Sequence, residues 1–210
     1  MHFEKKVMEF FEIDKRLYFV FLCLITFLVL LIKKNFVENE TAAFEVLESR
    51  GQMGVLNLIN AFQYLTIPFF YLWKFTFTGF ILWLGSFAFG YKISFRKCWQ
   101  ITMIAETLFL IPEMLKIIYF MYVFTDPNLF EIRAFYPFSL MNLVDYEEVA
   151  SKWHYPLKAL NIFEIIYWAI LMYGIHFAVK KKREVAVLIV LFSYVPVFLL
   201  WLWFYVSVYK

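Results

Sequence analysis

The chain has 210 residues, of which 63% are hydrophobic and 23% aromatic, and its formal net charge is only +3. A soluble domain of this composition would expose a mostly apolar surface to water, which excludes an ordinary globular protein. The modest charge implies no nucleic acid as a partner. We therefore predict an all-α, polytopic bundle of transmembrane helices whose first partner is the lipid bilayer.

The first apolar run, residues 17–32, follows an N-terminal tail of residues 1–16 and has a pair of basic residues on either side. Its 16 residues are enough to span a bilayer with little tilt, because the long basic side chains reach the headgroups. The tail carries acidic residues and no small-residue cleavage pattern, so it does not resemble a cleaved signal peptide. We expect this span to be retained.

Residues 50–64 place apolar side chains at helical spacing after an acidic stretch, which predicts an amphipathic helix lying in the membrane interface. A second span is predicted over residues 65–90, with Pro68 in its first turns and Lys74 inside it. The sequence leaves open whether this span is one helix or a pair broken near Lys74. A third span is predicted over residues 99–124.

Residues 125–155 form the longest polar stretch, yet they contain many aromatic and aliphatic residues. This pattern predicts a second interfacial segment that lies against the membrane or folds back into it. A fourth span follows over residues 156–179 and a fifth over residues 185–209, kinked at Pro196. The spans number five, and residues 17–210 form one membrane domain.

Basic residues predict the orientation of the chain. With five spans, 11 lysines and arginines fall on the side of the N-terminus and 7 on the other side. The positive-inside rule then places the N-terminus in the cytoplasm and the C-terminus outside, in a membrane of the bacterial cytoplasmic (inner) type. A count of four or six spans would move the C-terminus to the cytoplasm.

Charged side chains inside the predicted spans are the first candidates for function. A charge at mid-bilayer costs about 2.5 to 3.5 kcal/mol on insertion scales, so it usually faces a partner, a cavity or another charge. Either the acids in the third span are protonated, or Glu113 pairs with Lys116 while Glu106 finds Lys74 or water. We predict an intramembrane polar cluster made of Lys74, Glu106, Glu113, Lys116 and Glu164.

Two functions fit such a cluster. Charges that fix the packing of helices indicate a noncatalytic accessory or scaffold subunit of a membrane complex for secretion, transport or assembly. A path lined by Glu106, Glu113 and Glu164 would instead indicate a small proton- or ion-coupled transporter. The small size, the odd number of spans and the absence of inverted repeats argue against a transporter.

Motifs of intramembrane enzymes are absent or incomplete. No His-Glu-x-x-His zinc motif and no Gly-x-Ser-x-Gly elbow occurs. Glu147 and Glu148, followed by Lys152, look like the Glu-Glu-x-x-x-Arg motif of CAAX-type membrane proteases, but lysine replaces arginine and the segment lies in a loop. We predict no catalytic residue, no cofactor and no metal, with an intramembrane enzyme as the remote alternative. Both cysteines, Cys23 and Cys98, are expected to be inert.

The interfacial segment over residues 125–155 is the predicted contact surface for other membrane-protein subunits, because its apolar residues interrupt a polar stretch. An oligomer of the chain itself is a further expectation. The candidate partner-surface residues are Phe135, Tyr136, Phe138, Leu140 and Trp153.

Three stretches of the second half carry a resemblance: Phe-Tyr-Pro-Phe-Ser-Leu at 135–140, Tyr-Pro-Leu at 155–157 and Asn-Ile-Phe-Glu at 161–164. With five spans, a cytoplasmic tail and short basic hairpins, residues 50–210 resemble bacterial members of the Yip family of small membrane proteins. The Asp-Leu-Tyr-Gly-Pro segment of eukaryotic members is absent, which counts against a role in vesicle traffic. The resemblance implies a noncatalytic helical bundle that works through partners or lipids, and no catalytic residue.

Overall fold

A computed structural model of the chain describes residues 14–38, 53–124, 127–179 and 183–209. Over these ranges the regular secondary structure is helical, apart from an isolated antiparallel bridge between Ser139 and Asn161. The predicted all-α class is confirmed. Most of the predicted N-terminal tail lies outside the described residues, as do most of the basic cluster at 180–183 and the start of both predicted interfacial segments.

The helices of the first half are α1 (Lys15–Lys33), a π-helical turn (Lys34–Glu38), α2 (Met53–Ala88), α3 (Phe95–Glu106), a 3-10 turn (Thr107–Phe109) and α4 (Leu110–Tyr122). Those of the second half are α5 (Leu129–Ala134), a 3-10 turn (Leu140–Leu143), α6 (Ser151–Ala159), α7 (Ile162–Val179) and α8 (Arg183–Val208).

Four stretches of the described helices are long and apolar enough to cross a membrane: Lys15–Val37, Ala61–Ala88, Ile162–Val179 and Arg183–Val208. The fold is therefore compatible with an integral, multi-pass membrane protein. The predicted third span is formed by α3 and α4, of 12 and 13 residues, with a 3-10 turn between them. Each of these two helices is shorter than the roughly 20 residues that a straight transmembrane helix needs. The number of five spans therefore stays a prediction.

The predicted second span lies within a single helix of 36 residues, α2, which has no break at Lys74 and carries Pro68 inside it. The described part of the segment 50–64 belongs to the same helix rather than to a separate element. At 1.5 Å per residue α2 is about 54 Å long, which exceeds the roughly 30 Å apolar core of a bilayer.

The predicted fourth span begins later in the structure than in the sequence pattern. Residues 156–159 belong to α6, and Leu160 then leaves the helical conformation with φ −80° and ψ 87°. The long apolar helix α7 starts only at Ile162. Lys158 therefore lies in the short helix that precedes this candidate span.

Contacts divide the chain into two compact units, as far as their ranges are described. Unit 1 comprises Met1–Val20, Leu72–Leu108 and Ile162–Lys210. Unit 2 comprises Phe21–Tyr71 and Phe109–Asn161.

In unit 1, α7 packs against α3 and α8. Every residue of α3 from Gln100 to Glu106 is buried, as expected for a helix surrounded by protein on all sides. A close approach at Gly174 brings α7 onto α3, since a Cβ atom there would lie 2.4 Å from Cγ2 of Ile101. The core of unit 1 therefore encloses the acidic end of α3.

In unit 2, α4 and α5 pack against the π-helical turn, and α6 packs against the 3-10 turn Leu140–Leu143. Val37, Phe120 and Ile132 form a buried apolar core where α4 and α5 meet the π-helical turn. Phe138 has φ +54°, a left-handed conformation that is uncommon for a bulky residue. The segment after α5 is thus folded onto unit 2 by specific contacts and is not a free linker.

Candidate functional site

An ion pair joins α2 and α3 in unit 1. The Nζ atom of Lys74 lies 2.5 Å from Oε1 of Glu106, the last residue of α3. The Glu106 side chain is 5% exposed, whereas that of Lys74 is 33% exposed. Burying a carboxylate costs several kcal/mol unless a partner of good geometry compensates it, and Lys74 supplies that partner. This pairing is one of the alternatives that the sequence left open for Glu106, beside water and protonation of the acid.

Glu164 lies in the first turn of α7 and is buried. Its Oε1 atom accepts hydrogen bonds from Nε1 of Trp168 at 2.8 Å and from the hydroxyl of Tyr194 at 2.9 Å. Trp168 follows one helical turn later, so the first bond is local. Tyr194 comes from α8, so the second bond joins two helices.

The phenol of Tyr167 is fully buried in unit 1 and lies beside the side chain of Thr78. The ring centroids of Tyr167 and Tyr194 lie 5.5 Å apart. We use the name unit 1 polar cluster for the buried and half-buried polar side chains of this interior. It consists of Lys74, Thr78, Glu106, Glu164, Tyr167 and Tyr194.

The second carboxylate oxygen of Glu106 stands out in this cluster. Its Oε2 atom is buried and has no hydrogen-bond partner among the described residues. Leaving a buried acceptor unsatisfied costs about 1–3 kcal/mol, and more for a charged group. Because buried polar atoms in native structures are almost always paired, an atom of this kind calls for a specific explanation, such as a functional role.

Glu113 lies in unit 2 and forms an ion pair with Lys33 across a distance of 3.1 Å. Glu113 stands in the first turn of α4, where a negative charge interacts favourably with the helix dipole. Lys33 ends α1, so the pair ties two helices of unit 2 together. In one of the two alternatives that the sequence left open, Glu113 pairs with Lys116, and the sequence assigned Lys33 to the headgroups.

Lys116 also lies in unit 2, where it is buried. Its ammonium donates hydrogen bonds to the backbone carbonyls of Ile132 and Phe135, the second at 2.9 Å. These carbonyls belong to the C-terminal end of α5, where a cation satisfies unpaired acceptors and the helix dipole. Lys116 therefore holds the segment after α4 in place.

The residues of the predicted partner surface differ in exposure. Phe138, Leu140 and Trp153 are exposed by 67%, 43% and 45%, while Phe135 and Tyr136 are half-buried. The ring of Phe135 stacks on Tyr119 with 4.4 Å between the centroids, so it anchors the segment.

An open apolar groove of about 470 Å³ lies in unit 2 next to these residues. Aromatic and aliphatic residues form most of its walls, and Glu131, Asn142 and Asp145 also line it. The aromatic and apolar residues that line the groove include Tyr119, Phe124, Phe135, Met141, Val144 and Tyr146.

His154 holds the backbone of residues 146–149 in place. Its Nε2 atom lies 2.9 Å from the carbonyl oxygen of Val149 and 3.1 Å from that of Tyr146. The imidazole stacks on the ring of Tyr146 with centroids 4.0 Å apart, and Nζ of Lys158 lies 5.3 Å from that ring centre. His154 is thus engaged in the backbone of its own segment.

The protease-like residues Glu147, Glu148 and Lys152 are exposed, at a turn and at the start of α6. No group of three or more histidine, cysteine or acidic side chains in the described part of the chain is placed to hold a metal ion. Cys98 is fully buried at the start of α3, and burial raises the pKa of its thiol to about 12.

Sequence reasoning missed Thr78, Tyr167 and Tyr194 of the unit 1 polar cluster. It also missed Trp168, which donates to Glu164, and Lys33, which pairs with Glu113. Trp168 was detectable, because a tryptophan four residues after a buried glutamate lies on the same helical face. Tyr194 was not, because its pairing with Glu164 depends on the rotation of α8 against α7.

No family model, no curated protein and no solved structure matches this chain. The function is therefore inferred from the chemistry of its own residues.

Proposed function

We propose that the chain is a noncatalytic accessory or scaffold subunit of a membrane complex and acts through protein partners. The observation that carries this proposal is the exposed, braced surface of unit 2, formed by residues 138–153. We further propose the five-span topology in a bacterial cytoplasmic membrane, with the N-terminus in the cytoplasm and the C-terminus outside.

The backbone under this surface is held by several independent contacts. Lys116 binds the carbonyls at the end of α5, Ser139 pairs with Asn161, and His154 binds the carbonyl of Val149. Ordering a segment costs conformational entropy. A segment that is held by such contacts and still exposes its large side chains is typical of a binding surface.

The composition of this surface favours a protein partner over lipid alone. Phe138 and Leu143 are exposed by 67% and 78%, and the acidic residues Asp145, Glu147 and Glu148 between them and α6 are exposed as well. Carboxylates would be costly in the apolar part of a bilayer. Mixed apolar and acidic exposure instead fits a partner that offers apolar and basic side chains at the membrane interface.

The test is purification of the full-length tagged protein from its own cell in a gentle detergent, followed by native mass measurement. A stoichiometric complex with defined partner chains is the expected result. The chain recovered alone, as a monomer or a homo-oligomer, would overturn the proposal.

A matched pair of variants tests whether the complex forms through this surface. Leu143→Ala removes an exposed leucine of the surface, whereas Leu200→Ala removes a leucine of α8 that is exposed by 61%. We expect the partner to be lost from Leu143→Ala and retained by Leu200→Ala. Equal retention by both variants would place the contact elsewhere and contradict the proposal.

A second candidate function is a small proton- or ion-coupled transporter, favoured by the unpartnered Oε2 atom of Glu106 among the described residues of the unit 1 polar cluster. Reconstitution in vesicles with an imposed proton gradient tests it. Flux that Glu164→Gln abolishes in a folded protein would support transport. Vesicles with wild-type protein that show only the leak of empty vesicles would reject it.

A further inference from the structure

The groove of unit 2 combines apolar walls with acidic residues. Its walls belong mainly to aromatic and aliphatic residues of α4, of α5 and of the segment that follows α5. Two charged residues line it, Glu131 and Asp145, and both are acidic. Among the described residues, no lysine or arginine lines the groove. The groove is therefore complementary to a ligand that is apolar along its length and positively charged at one end.

Backbone donors hold the two acidic side chains in place. The Oε2 atom of Glu131 accepts a hydrogen bond from the backbone N–H of Asn128 at 2.7 Å, as part of the capping box of α5. The Oδ1 atom of Asp145 accepts one from the backbone N–H of Glu147 at 3.0 Å. Neither acid forms an ion pair within the described part of the chain. Each carboxylate thus keeps an oxygen that can accept a bond from an outside donor.

The walls of the groove are held by ring contacts within unit 2. Phe135 stacks on Tyr119 with centroids 4.4 Å apart and meets the edge of Phe120 at 5.4 Å. Tyr146 stacks on His154 at 4.0 Å. Because these side chains are already packed, little rotamer freedom is lost when a ligand binds. Long basic side chains have an apolar stem that suits such walls and a charged head that suits the acids.

We propose that the groove binds the side chain of an arginine or lysine of the partner chain, with the apolar stem on the aromatic walls and the charged head at Glu131 and Asp145. The inference rests on the proposed function, in which the partner offers apolar and basic side chains. It adds the place where the basic side chain binds.

A basic side chain fits the groove better than a lipid headgroup or a metal ion does. The ammonium of a zwitterionic lipid comes with a phosphate, which the two acids would repel, and the described lining has no basic residue to bind that phosphate. A hard metal ion prefers about six or more oxygen ligands. No group of three or more histidine, cysteine or acidic side chains among the described residues is placed to hold one.

The experiment uses a defined probe and the full-length protein in a neutral maltoside detergent. The probe is the synthetic peptide Leu-Arg-Leu-Arg-Leu with a photoreactive benzophenone at one end, and the reference peptide has glutamine in place of arginine. Mass spectrometry measures the labelling of residues 119–146 after illumination. The arginine peptide should label them about tenfold more than the reference does, which is the scale of two exposed ion pairs. Equal labelling by both peptides would overturn the proposal.

Two double variants test whether the groove acids bind the probe. Glu131→Gln with Asp145→Asn removes both charges but keeps the oxygens that accept the capping and turn bonds, so folding is expected. This variant should reduce labelling by the arginine peptide to the level of the reference peptide. The matched control, Glu147→Gln with Glu148→Gln, removes two exposed acids that do not line the groove and should keep the labelling. Full labelling of the groove variant would overturn the proposal. Displacement of the peptide by added phosphatidylethanolamine would assign the groove to a lipid and overturn it too.

Purification of the complex separates this inference from the proposed function. A stoichiometric complex that the groove variant retains in full would contradict the binding of a basic side chain here and leave the scaffold function standing. A chain recovered alone, whose groove still selects the arginine peptide, would overturn the scaffold function and support the binding chemistry of the groove.

Discussion

The Nζ atom of Lys116 lies 2.9 Å from the carbonyl oxygen of Phe135, just beyond the end of the short helix α5. A helix of six residues cannot be stable on its own, so its position depends on such tertiary bonds. A buried lysine of α4 thereby controls where the surface formed by residues 138–153 begins.

Replacing Lys116 by methionine should loosen this segment. The substitution keeps an unbranched apolar stem but removes the charged donor from two carbonyls, and each hydrogen bond to a charged group contributes about 1.5–3 kcal/mol. Hydrogen exchange should become faster over residues 129–143 and stay unchanged in α8. The exposed Lys152→Met is the control. Unchanged exchange over residues 129–143 would show that other contacts hold the segment.

The pair of Lys74 and Glu106 predicts strong non-additivity. Lys74→Met alone leaves the buried Glu106 without its cation, which costs at most about 3–5 kcal/mol for a fully buried pair and less here, because Lys74 is partly exposed. The double variant Lys74→Met with Glu106→Gln should recover much of that loss. Thermal unfolding in detergent measures it, and simple addition of the two single effects would contradict the pairing.

Gly174→Ala should destabilise unit 1, because the new Cβ would lie 2.4 Å from Cγ2 of Ile101. Overpacking of this kind typically costs about 1–3 kcal/mol. Gly54→Ala in α2 is the matched control. Among the described residues nothing outside the backbone of its own helix lies within 4 Å of its Cβ position, and alanine there should be neutral or slightly stabilising. The same unfolding temperature for both variants would contradict the close approach of α7 to α3.

Cys98 should resist thiol reagents in the folded protein. Its side chain is fully buried, and burial raises the pKa of the thiol to about 12, so little of the reactive thiolate forms near neutral pH. In a Cys23→Ser background, maleimide labelling should be slow in mild detergent and complete after denaturation in sodium dodecyl sulfate. Rapid labelling of the folded protein would show that the start of α3 opens readily.

The sequence contained enough information to predict an all-α fold and the presence of long apolar helices, because runs of apolar residues determine both. It also indicated that Glu106 could meet Lys74, since both are charges that need compensation in an apolar setting. The 3-10 turn Thr107–Phe109 between α3 and α4 was not foreseen. Pro112 is a local signal for it, because a proline in the first turn of α4 has no N–H to donate to the carbonyl of Leu108.

Glu113 shows what sequence spacing alone leaves open, since a pair with Lys116 was one of the two alternatives predicted for it. Lys116 lies three residues away on the same helical face, which is the geometry of a local ion pair. In the structure Lys33 forms the ion pair with Glu113, although it lies 80 residues away, while Lys116 binds carbonyls after α5. Such choices depend on which helix ends meet in three dimensions, and a single sequence does not contain that information.

The order of helices along the chain has a consequence for biogenesis. Glu106 ends a helix of 12 residues that also carries Arg96, Lys97 and Gln100, so α3 is a poor substrate for the translocon by itself. Lys74 precedes Glu106 by 32 residues and leaves the ribosome first. The counter-charge is therefore in place when α3 emerges, and a rearranged gene encoding α3 ahead of α2 would expose that carboxylate to lipid before its lysine had been synthesised.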